Sequence, residues 1–290
     1  MRKIGRYRKK KQKKILIIGS LSLLLFLCVG YAAFQTNLSI TAKGNIKEKT
    51  RVIQYWDYNF STDFHSDFYK ENIVSATFLD NNNVPSNATE SWNVSEDKVN
   101  GGVMAWVIPN NADNTKYDLY IGAKGGVIAN EDSSWLFARF KKLESINFNN
   151  NFDTSNVKTM MAMFTSWNVD TSDWTQSSLK NINFGETFDT SNVVKMNDMF
   201  SGTQFIELDL SIFDTSSLTS MYHMFNNCQN LKTLNLCSFN NSKITDVDGV
   251  FQLTPNLTQV KVGPLWAIDK FDNNIMFYQS NISSVTTGQC

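Results

Sequence analysis

The sequence is poor in the residues that build most catalytic and metal centres. Its 290 residues include 2 histidines, His65 and His223, and 4 cysteines without a CxxC pair. It also lacks the GxSxG, P-loop, GxGxxG, HExxH and EF-hand patterns, which position nucleophiles, phosphates and metal ions. We therefore predict no catalytic residue, no cofactor site and no metal site.

The cysteines beyond the first thirty residues are three in number: Cys228, Cys237 and Cys290. An odd set with no histidine at ligand spacing argues against both a disulfide framework and a zinc site. We expect Cys237 to point away from the core on a strand and Cys228 to point inward, so that these two do not pair.

Acidic residues are absent before Glu48, whereas nine of the 27 basic residues lie within the first fourteen positions. The rest of the chain has 18 basic and 27 acidic residues, a net charge of 18 − 27 = −9. Because binding to nucleic acid needs clustered Lys and Arg, this acidic body argues against a nucleic-acid partner.

An uncharged apolar stretch, residues 15–29, follows the basic segment and extends to about residue 34. This pattern is typical of an export signal, and its length also suits a membrane-spanning helix. We predict that residues 1–34 are a signal peptide, with cleavage after Ala32 left open, or an N-terminal transmembrane anchor, and that residues 35–50 are a tether. Both alternatives place the remaining chain at the cell surface or in the secreted fraction.

A short motif recurs along the second half of the chain. It begins at Phe152, Phe188 and Phe213 as FDTS and at Phe239 as FNNS. Apolar residues follow each motif at spacing i, i+3, i+6 and i+7, which is typical of one face of a short helix. An alternating apolar pair after the next polar loop indicates a short strand.

These repeats predict an α/β solenoid, a leucine-rich-repeat-like stack of short strand plus short helix units over residues 134–263. Such units must stack because none buries its apolar edge alone, so the four motif phenylalanines should form a column of rings. Residues 51–133 are predicted to be a β-rich N-terminal capping region, and residues 264–290 a C-terminal cap. The first two motifs are 36 residues apart because residues 167–177 are inserted between them.

The repeats, together with DLYIGAKGGVIANEDSSWLF at residues 118–137, resemble the BspA-type leucine-rich-repeat surface proteins of bacteria. Repeats of that family read approximately FDTSxVTxMxxMFxxCxxLxxLDLSx, and the resemblance covers about Ser134 to Gly263. It implies a location at the bacterial exterior and a role in adhesion or protein binding, although no binding residues carry over. The chain departs from the pattern in its insertion, its degenerate fourth repeat and its lack of an LPxTG motif, so its mode of wall attachment does not follow.

Two surfaces are candidate binding sites. One is the outward row of strand positions, Asn147, Asn183, Asp209, Asn235 and Lys261. The other is the inserted loop, because Trp167 and Trp174 are residues that often anchor interfaces. The alternative is that the row is a solvated strand edge and that the tryptophans only cover the loop's own packing. His223, between inward methionines on a predicted helix, is expected to point to solvent.

The function favoured by these features is adhesion or binding of an unknown protein or cell-surface ligand, with the membrane contacted through the N-terminal segment. We predict that the protein is not an enzyme. The alternatives are a structural envelope protein without a specific ligand and, least favoured, a surface hydrolase located within residues 51–130.

Overall fold

The computed structural model describes residues 50–174, 177–267, 273–287 and 290. Lys49–Cys290 forms one compact unit. The predicted leader and, apart from Thr50, the predicted tether lie outside the described residues. Among the helices of the described part, none is long and apolar enough to cross a bilayer.

The described chain is built mainly from short strands. They are β1 Ile73–Leu79, β2 Glu90–Asn93, β3 Met104–Pro109, β4 Tyr117–Gly122, β5 Val127–Ile128, β6 Ser145–Asn147, β7 Phe152–Asp153, β8 Trp167–Asn168, β9 Asp173–Trp174, β10 Asn181–Asn183, β11 Glu207–Asp209, β12 Thr233–Leu236, β13 Gln259–Val262 and β14 Thr286–Thr287. The helices of the described ranges are a 3₁₀ turn at Asp63–His65, α1 at Asp67–Asn72 and α2 at Asn273–Met276.

The strands form a mixed sheet that leads into a parallel one. A six-stranded sheet has the order β10-β6-β1-β4-β3-β2, and a four-stranded sheet has the order β11-β12-β13-β14. The repeat strands pair in parallel and in the register that the apolar pairs require, for example Leu208 with Leu234 and Leu234 with Val260. Two small sheets, β5-β7 and β8-β9, complete the described strands.

The predicted α/β solenoid of strand-plus-helix units is wrong, because the segments predicted as repeat helices are not helical. A helix would direct each N–H to the carbonyl four residues earlier. Instead, alternate N–H groups donate to the next repeat: Met160 to Lys195 O, Ala162 to Asn197 O and Phe164 to Met199 O, at 2.8–3.0 Å. The repeats are therefore coils of turns and short strands, joined by backbone hydrogen bonds between coils.

A left-handed residue at the same position of successive repeats accounts for this departure. The residues are Trp135, Ala162, Asp198, His223 and Gly249, with φ from 53° to 65°. Because left-handed backbone interrupts a right-handed helix, this residue prevents a continuous helix, and several repeats have a second left-handed residue four positions later, such as Gly202 and Asn227. The apolar residues on either side still reach the core, which explains why their spacing imitates a helix.

The core consists of side chains stacked from coil to coil. The motif phenylalanines form the predicted column. The distances between ring centroids are 6.4 Å for Phe152–Phe188, 5.8 Å for Phe188–Phe213 and 6.5 Å for Phe213–Phe239. A second column continues from ring to ring at centroid distances of 5.4–6.3 Å. It contains Phe137, Phe164, Phe200, Phe225, Phe251 and Phe277. Rings at this separation interact beyond their burial of apolar area, by about 0.5–1.5 kcal/mol per pair.

Candidate functional site

The inserted loop forms a small hairpin in which two tryptophans face each other. Strands β8 and β9 are antiparallel, with Trp167 opposite Trp174. The ring centroids are 4.6 Å apart and the planes meet at 64°, so the pair packs edge to face. Both side chains are only half-buried. The hairpin therefore presents aromatic surface instead of hiding all of it within its own packing.

The next repeat holds Trp174 in place. Trp174 Nε1 donates a hydrogen bond to Ser201 Oγ at 3.2 Å. A Cβ atom at Gly202 would lie 2.6 Å from Trp174 Cδ1 and 1.9 Å from Ser166 Oγ, and the backbone there has a φ of 74°. Glycine satisfies both the left-handed backbone and the close approach of the indole. The position of the hairpin thus depends on Gly202.

Polar side chains from the following repeats complete a pocket beside the hairpin. The pocket has a volume of about 220 Å³ and is lined by Trp167, Trp174, Asp198, Tyr222, His223 and Asn226. Asp198 and His223 occupy the left-handed position of successive coils. In the next coil this position is Gly249, where a Cβ would lie only 2.1 Å from His223 Cδ2. The missing side chain at Gly249 therefore makes room for the imidazole.

Asp198 is the acidic residue of the pocket, and burial disfavours its ionised form. Burial raises the pKa of Asp198 to about 7. Burial also lowers the pKa of His223, against the attraction of Asp246 and Asp248. His223 Nδ1 and Asp198 Oδ1 are 3.9 Å apart, which exceeds hydrogen-bonding distance. The imidazole is therefore within ion-pair distance of the carboxylate without forming a hydrogen bond to it.

Asn226 adds a buried amide to the wall of the pocket. Its side chain is 4% exposed, and its Oδ1 is buried without a hydrogen-bond donor in the described structure. An unsatisfied buried polar atom costs about 1–3 kcal/mol, so native proteins seldom keep one without a use. The pocket therefore has one accessible carboxylate, on Asp198, beside an Asn226 amide whose oxygen is closed off from solvent.

Comparison with known families identifies the region that contains the pocket. A family model described as "Mycoplasma protein of unknown function, DUF285" matches residues 131–185 and 180–287, together more than half of the chain. The chain belongs to the DUF285 family. Neither the curated proteins nor the solved structures include a significant match. All six residues that line the pocket lie in the DUF285 region.

Within the DUF285 region, the sequence located the two tryptophans but not their neighbours. Asp198, Tyr222 and Asn226 were not predicted, and the expectation that His223 points to solvent is wrong. Its side chain is 24% exposed and its ring stacks on Tyr222 at a centroid distance of 3.8 Å. The error follows from the helix prediction, because a left-handed turn directs the side chain differently from a helix. The sequence does contain one indication of the position of His223: Gly249, one repeat further on, has no side chain and so leaves room for a large neighbour.

The predicted row of strand positions is divided between two sheets. Asn147 and Asn183 are neighbours in the six-stranded sheet, with Asn183 Nδ2 donating to Asn147 Oδ1 at 3.0 Å. Asp209, Asn235 and Lys261 are successive neighbours in the four-stranded sheet. Three of these side chains also accept backbone N–H bonds two residues later: Asn147 from Asn149, Asp209 from Ser211 and Asn235 from Cys237. The row therefore helps to form the turns that end the strands.

The cysteines of the DUF285 family member differ in part from expectation. Cys237 forms a disulfide with Cys290, so the argument against disulfides is wrong for this pair, whereas the prediction that Cys228 and Cys237 do not pair is confirmed. Cys228 is a buried free thiol, as its inward position predicted. Burial raises the pKa of Cys228 to about 11, so the thiol is unreactive at neutral pH. No group of three potential ligands that could hold a metal ion occurs within the described ranges.

Proposed function

We propose that this protein is a bacterial surface or secreted binding protein, and that it contacts its ligand through the pocket beside the tryptophan hairpin. The observation that carries the proposal is that pocket, where two half-buried tryptophans adjoin a buried acceptor without a donor. Apolar walls with a few convergent polar groups are the usual composition of a ligand site. The basic and apolar leader supports an exterior location, as does the resemblance to BspA-type surface proteins.

The hairpin is a better contact surface than the strand row. The side-chain oxygens of Asn147, Asp209 and Asn235 already accept hydrogen bonds from nearby backbone N–H groups, so a ligand would have to compete with the turns at these positions. Tryptophan, in contrast, is strongly enriched among the residues that dominate binding energy. The sequence of a loop inserted into a stacked fold can also change without disturbing the packing of the coils.

Binding without catalysis fits the hydroxyl and imidazole groups near the pocket. Ser201 Oγ accepts from Trp174 Nε1 and donates to Asn226 O at 3.1 Å, so it is committed to two structural hydrogen bonds. A serine nucleophile instead needs a hydroxyl that donates its hydrogen bond to a general base. The 3.9 Å separation of His223 from Asp198 does not provide the hydrogen bond that orients such a base.

The proposal is tested by capture of labelled surface fractions from bacterial and host cells on the immobilised full-length protein. We expect Trp167→Ala/Trp174→Ala to lose most of the captured material and Asn183→Ala/Asp209→Ala/Asn235→Ala to retain it. Equal capture by both variants, with the fold intact, would exclude the pocket as the contact surface. Release of soluble fragments from peptidoglycan or glycans in the same incubation would favour a hydrolase.

The proposed location has its own test. Protease treatment of intact cells should remove the chain beyond Gln35 while the basic segment, residues 2–14, remains protected. Full protection in cells whose surface is open to protease would contradict an exterior location.

A further inference from the structure

We propose that the pocket beside the tryptophan hairpin binds a protonated primary amine, the side chain of a lysine on a partner protein. This inference rests on the proposed binding function and adds the chemical class of the ligand. It follows from the kind of groups that line the pocket, from the charge around it and from its size.

The aromatic walls suit a cation. Trp167, Trp174 and Tyr222 line one pocket, and the two indoles are held at an angle of 64°. An ammonium group over an aromatic face is attracted by the negative potential of the ring, most strongly by tryptophan. The indole N–H of Trp174 is used on Ser201, so this ring offers the pocket its aromatic surface.

The polar atoms of the pocket are mainly acceptors. Asp198 contributes a carboxylate and Asn226 a buried Oδ1 with no donor in the described structure. One ring nitrogen of His223 is engaged with the side chain of Gln252. A primary ammonium brings three N–H donors and a positive charge, and it accepts no hydrogen bond. It therefore matches the Asp198 carboxylate, whereas a ligand carboxylate or phosphate would be repelled by that group.

The charge around the pocket is negative, like that of the Asp198 carboxylate within it. Among the described residues, no lysine or arginine lines the pocket. Asp246 and Asp248 lie close enough to His223 and Tyr222 to favour positive charge on the first and oppose ionisation of the second. The chain beyond its basic start carries a net charge of −9, which favours encounter with a basic partner.

The size of the pocket favours a side chain over a larger ligand. A volume of about 220 Å³ accommodates an alkylammonium group but lies below the range of about 300–1,000 Å³ typical of drug-sized ligand sites. The partly exposed tryptophans at its edge can also contact the surface from which the lysine extends. We therefore favour a protein lysine over a free small amine.

The experiment titrates the full-length protein with Nα-acetyl-lysine methylamide and follows tryptophan fluorescence and calorimetric heat. We expect saturable binding at pH 8 that weakens about tenfold or more for Asp198→Asn, since the charged partner is lost. Asparagine tolerates the left-handed backbone at this position, so the variant should fold. Asp209→Asn, which removes an exposed carboxylate on the strand row, is the matched control and should bind as the wild type does.

Three further probes define the ligand class. The Nε-acetyl derivative, which has no charge, should not bind; equal binding would overturn the proposal. Tetramethylammonium, which has no N–H group, should bind several-fold more weakly, and equal affinity would overturn the hydrogen bond from the ammonium to Asp198. A lysine-containing peptide should bind more tightly than butylamine, and the reverse order would assign the site to a free amine instead of a protein side chain.

Affinity should also rise with pH as the carboxylate ionises. Going from pH 5.5 to pH 8.5 should strengthen binding about tenfold or more, because the lysine stays protonated while Asp198 loses its proton. The neighbours Tyr222, Asp246 and Asp248 face the same region, and protonation of His223 at low pH would weaken binding further. Asp198→Asn should remove most of this dependence. If no amine binds at any pH, the inference is wrong, whereas capture that still depends on the tryptophans would keep the proposed function.

Discussion

The same repeats build two surfaces that differ in one respect. Along the strands, four successive coils place similar small polar side chains at equivalent positions, from Asn147 and Asn183 in one sheet to Asp209 and Asn235 in the other. At the left-handed position, the backbone repeats but the side chain changes completely: Trp135, Ala162, Asp198, His223 and Gly249. A regular row supports turns, whereas an irregular one creates cavities beside large side chains. The comparison teaches that a site in a repeat structure is found where the backbone repeats and the side chains do not.

The largest expected effect comes from the shared core, on which both surfaces depend. Phe213 is fully buried between Phe188 and Phe239. Phe213→Asp should destabilise the protein by several kcal/mol, more than about 4, because an unpaired charge enters a stacked apolar column. Thermal unfolding followed by circular dichroism measures this. Ile212→Asp, at the exposed neighbouring residue, is the control and should shift the transition little.

A smaller effect should separate the irregular surface from the regular one. Gly249→Ala puts a Cβ atom 2.1 Å from His223 Cδ2 at a φ of 61°, so we expect a loss of about 1–3 kcal/mol. In a His223→Ala background the steric part should disappear, leaving mainly the backbone cost. The measurement is a double-mutant cycle by denaturant unfolding. Equal costs in both backgrounds would show that the imidazole does not fill the space above Gly249.

The next effect depends on pH and on Asp198. Its folded-state pKa of about 7 exceeds the ordinary value of 3.8, so the folded state binds the proton more tightly than the unfolded state. The stability that this proton contributes is present below about pH 4 and is lost as pH rises towards 7. Asp198→Asn should therefore gain stability relative to wild type over this range, by about 1–2 kcal/mol after allowing for partial exposure. Unfolding free energies at pH 4.5 and 8 provide the test, and a difference that shrinks with pH would contradict the raised pKa.

The smallest effect is expected on the regular surface. Replacing Asn183, Asp209 and Asn235 by alanine removes exposed or half-buried side chains whose main contacts are turns and neighbours in the row. Each should cost about 1 kcal/mol or less, since exposed hydrogen bonds contribute modestly. Amine binding measured by calorimetry should be unchanged. A loss comparable to that of Asp198→Asn would transfer the binding site to the strand row.

The sequence predicted the core better than the backbone. The recurring Phe, Met and Val positions are buried, because apolar side chains must face the stack whatever the local backbone does. The helix prediction failed because spacing i, i+3, i+6 and i+7 is shared by a helix and by consecutive turns. Residues that accept left-handed backbone, such as Gly202 and Asn227, were present in the repeats but do not by themselves exclude a helix.

The candidate site was only half predictable. An insertion with two tryptophans is visible in a repeat alignment of the chain with itself, so Trp167 and Trp174 could be found. Asp198 and Asn226 could not, since each lies in a different coil and becomes a pocket residue only through the stacking of one coil on the next. Neither a motif nor a spacing records such a contact.

The disulfide between Cys237 and Cys290 has a mechanical consequence. Neighbouring coils are joined by backbone hydrogen bonds, and a pull on the last coil would break these bonds one after another. The covalent link passes a force applied at Cys290 directly to Cys237, 53 residues earlier in the chain. The intervening segment, which includes β13 and β14, then bears little tension until deeper coils yield. Stretching single molecules under oxidising and reducing conditions should reveal this as a later first rupture when the bridge is intact.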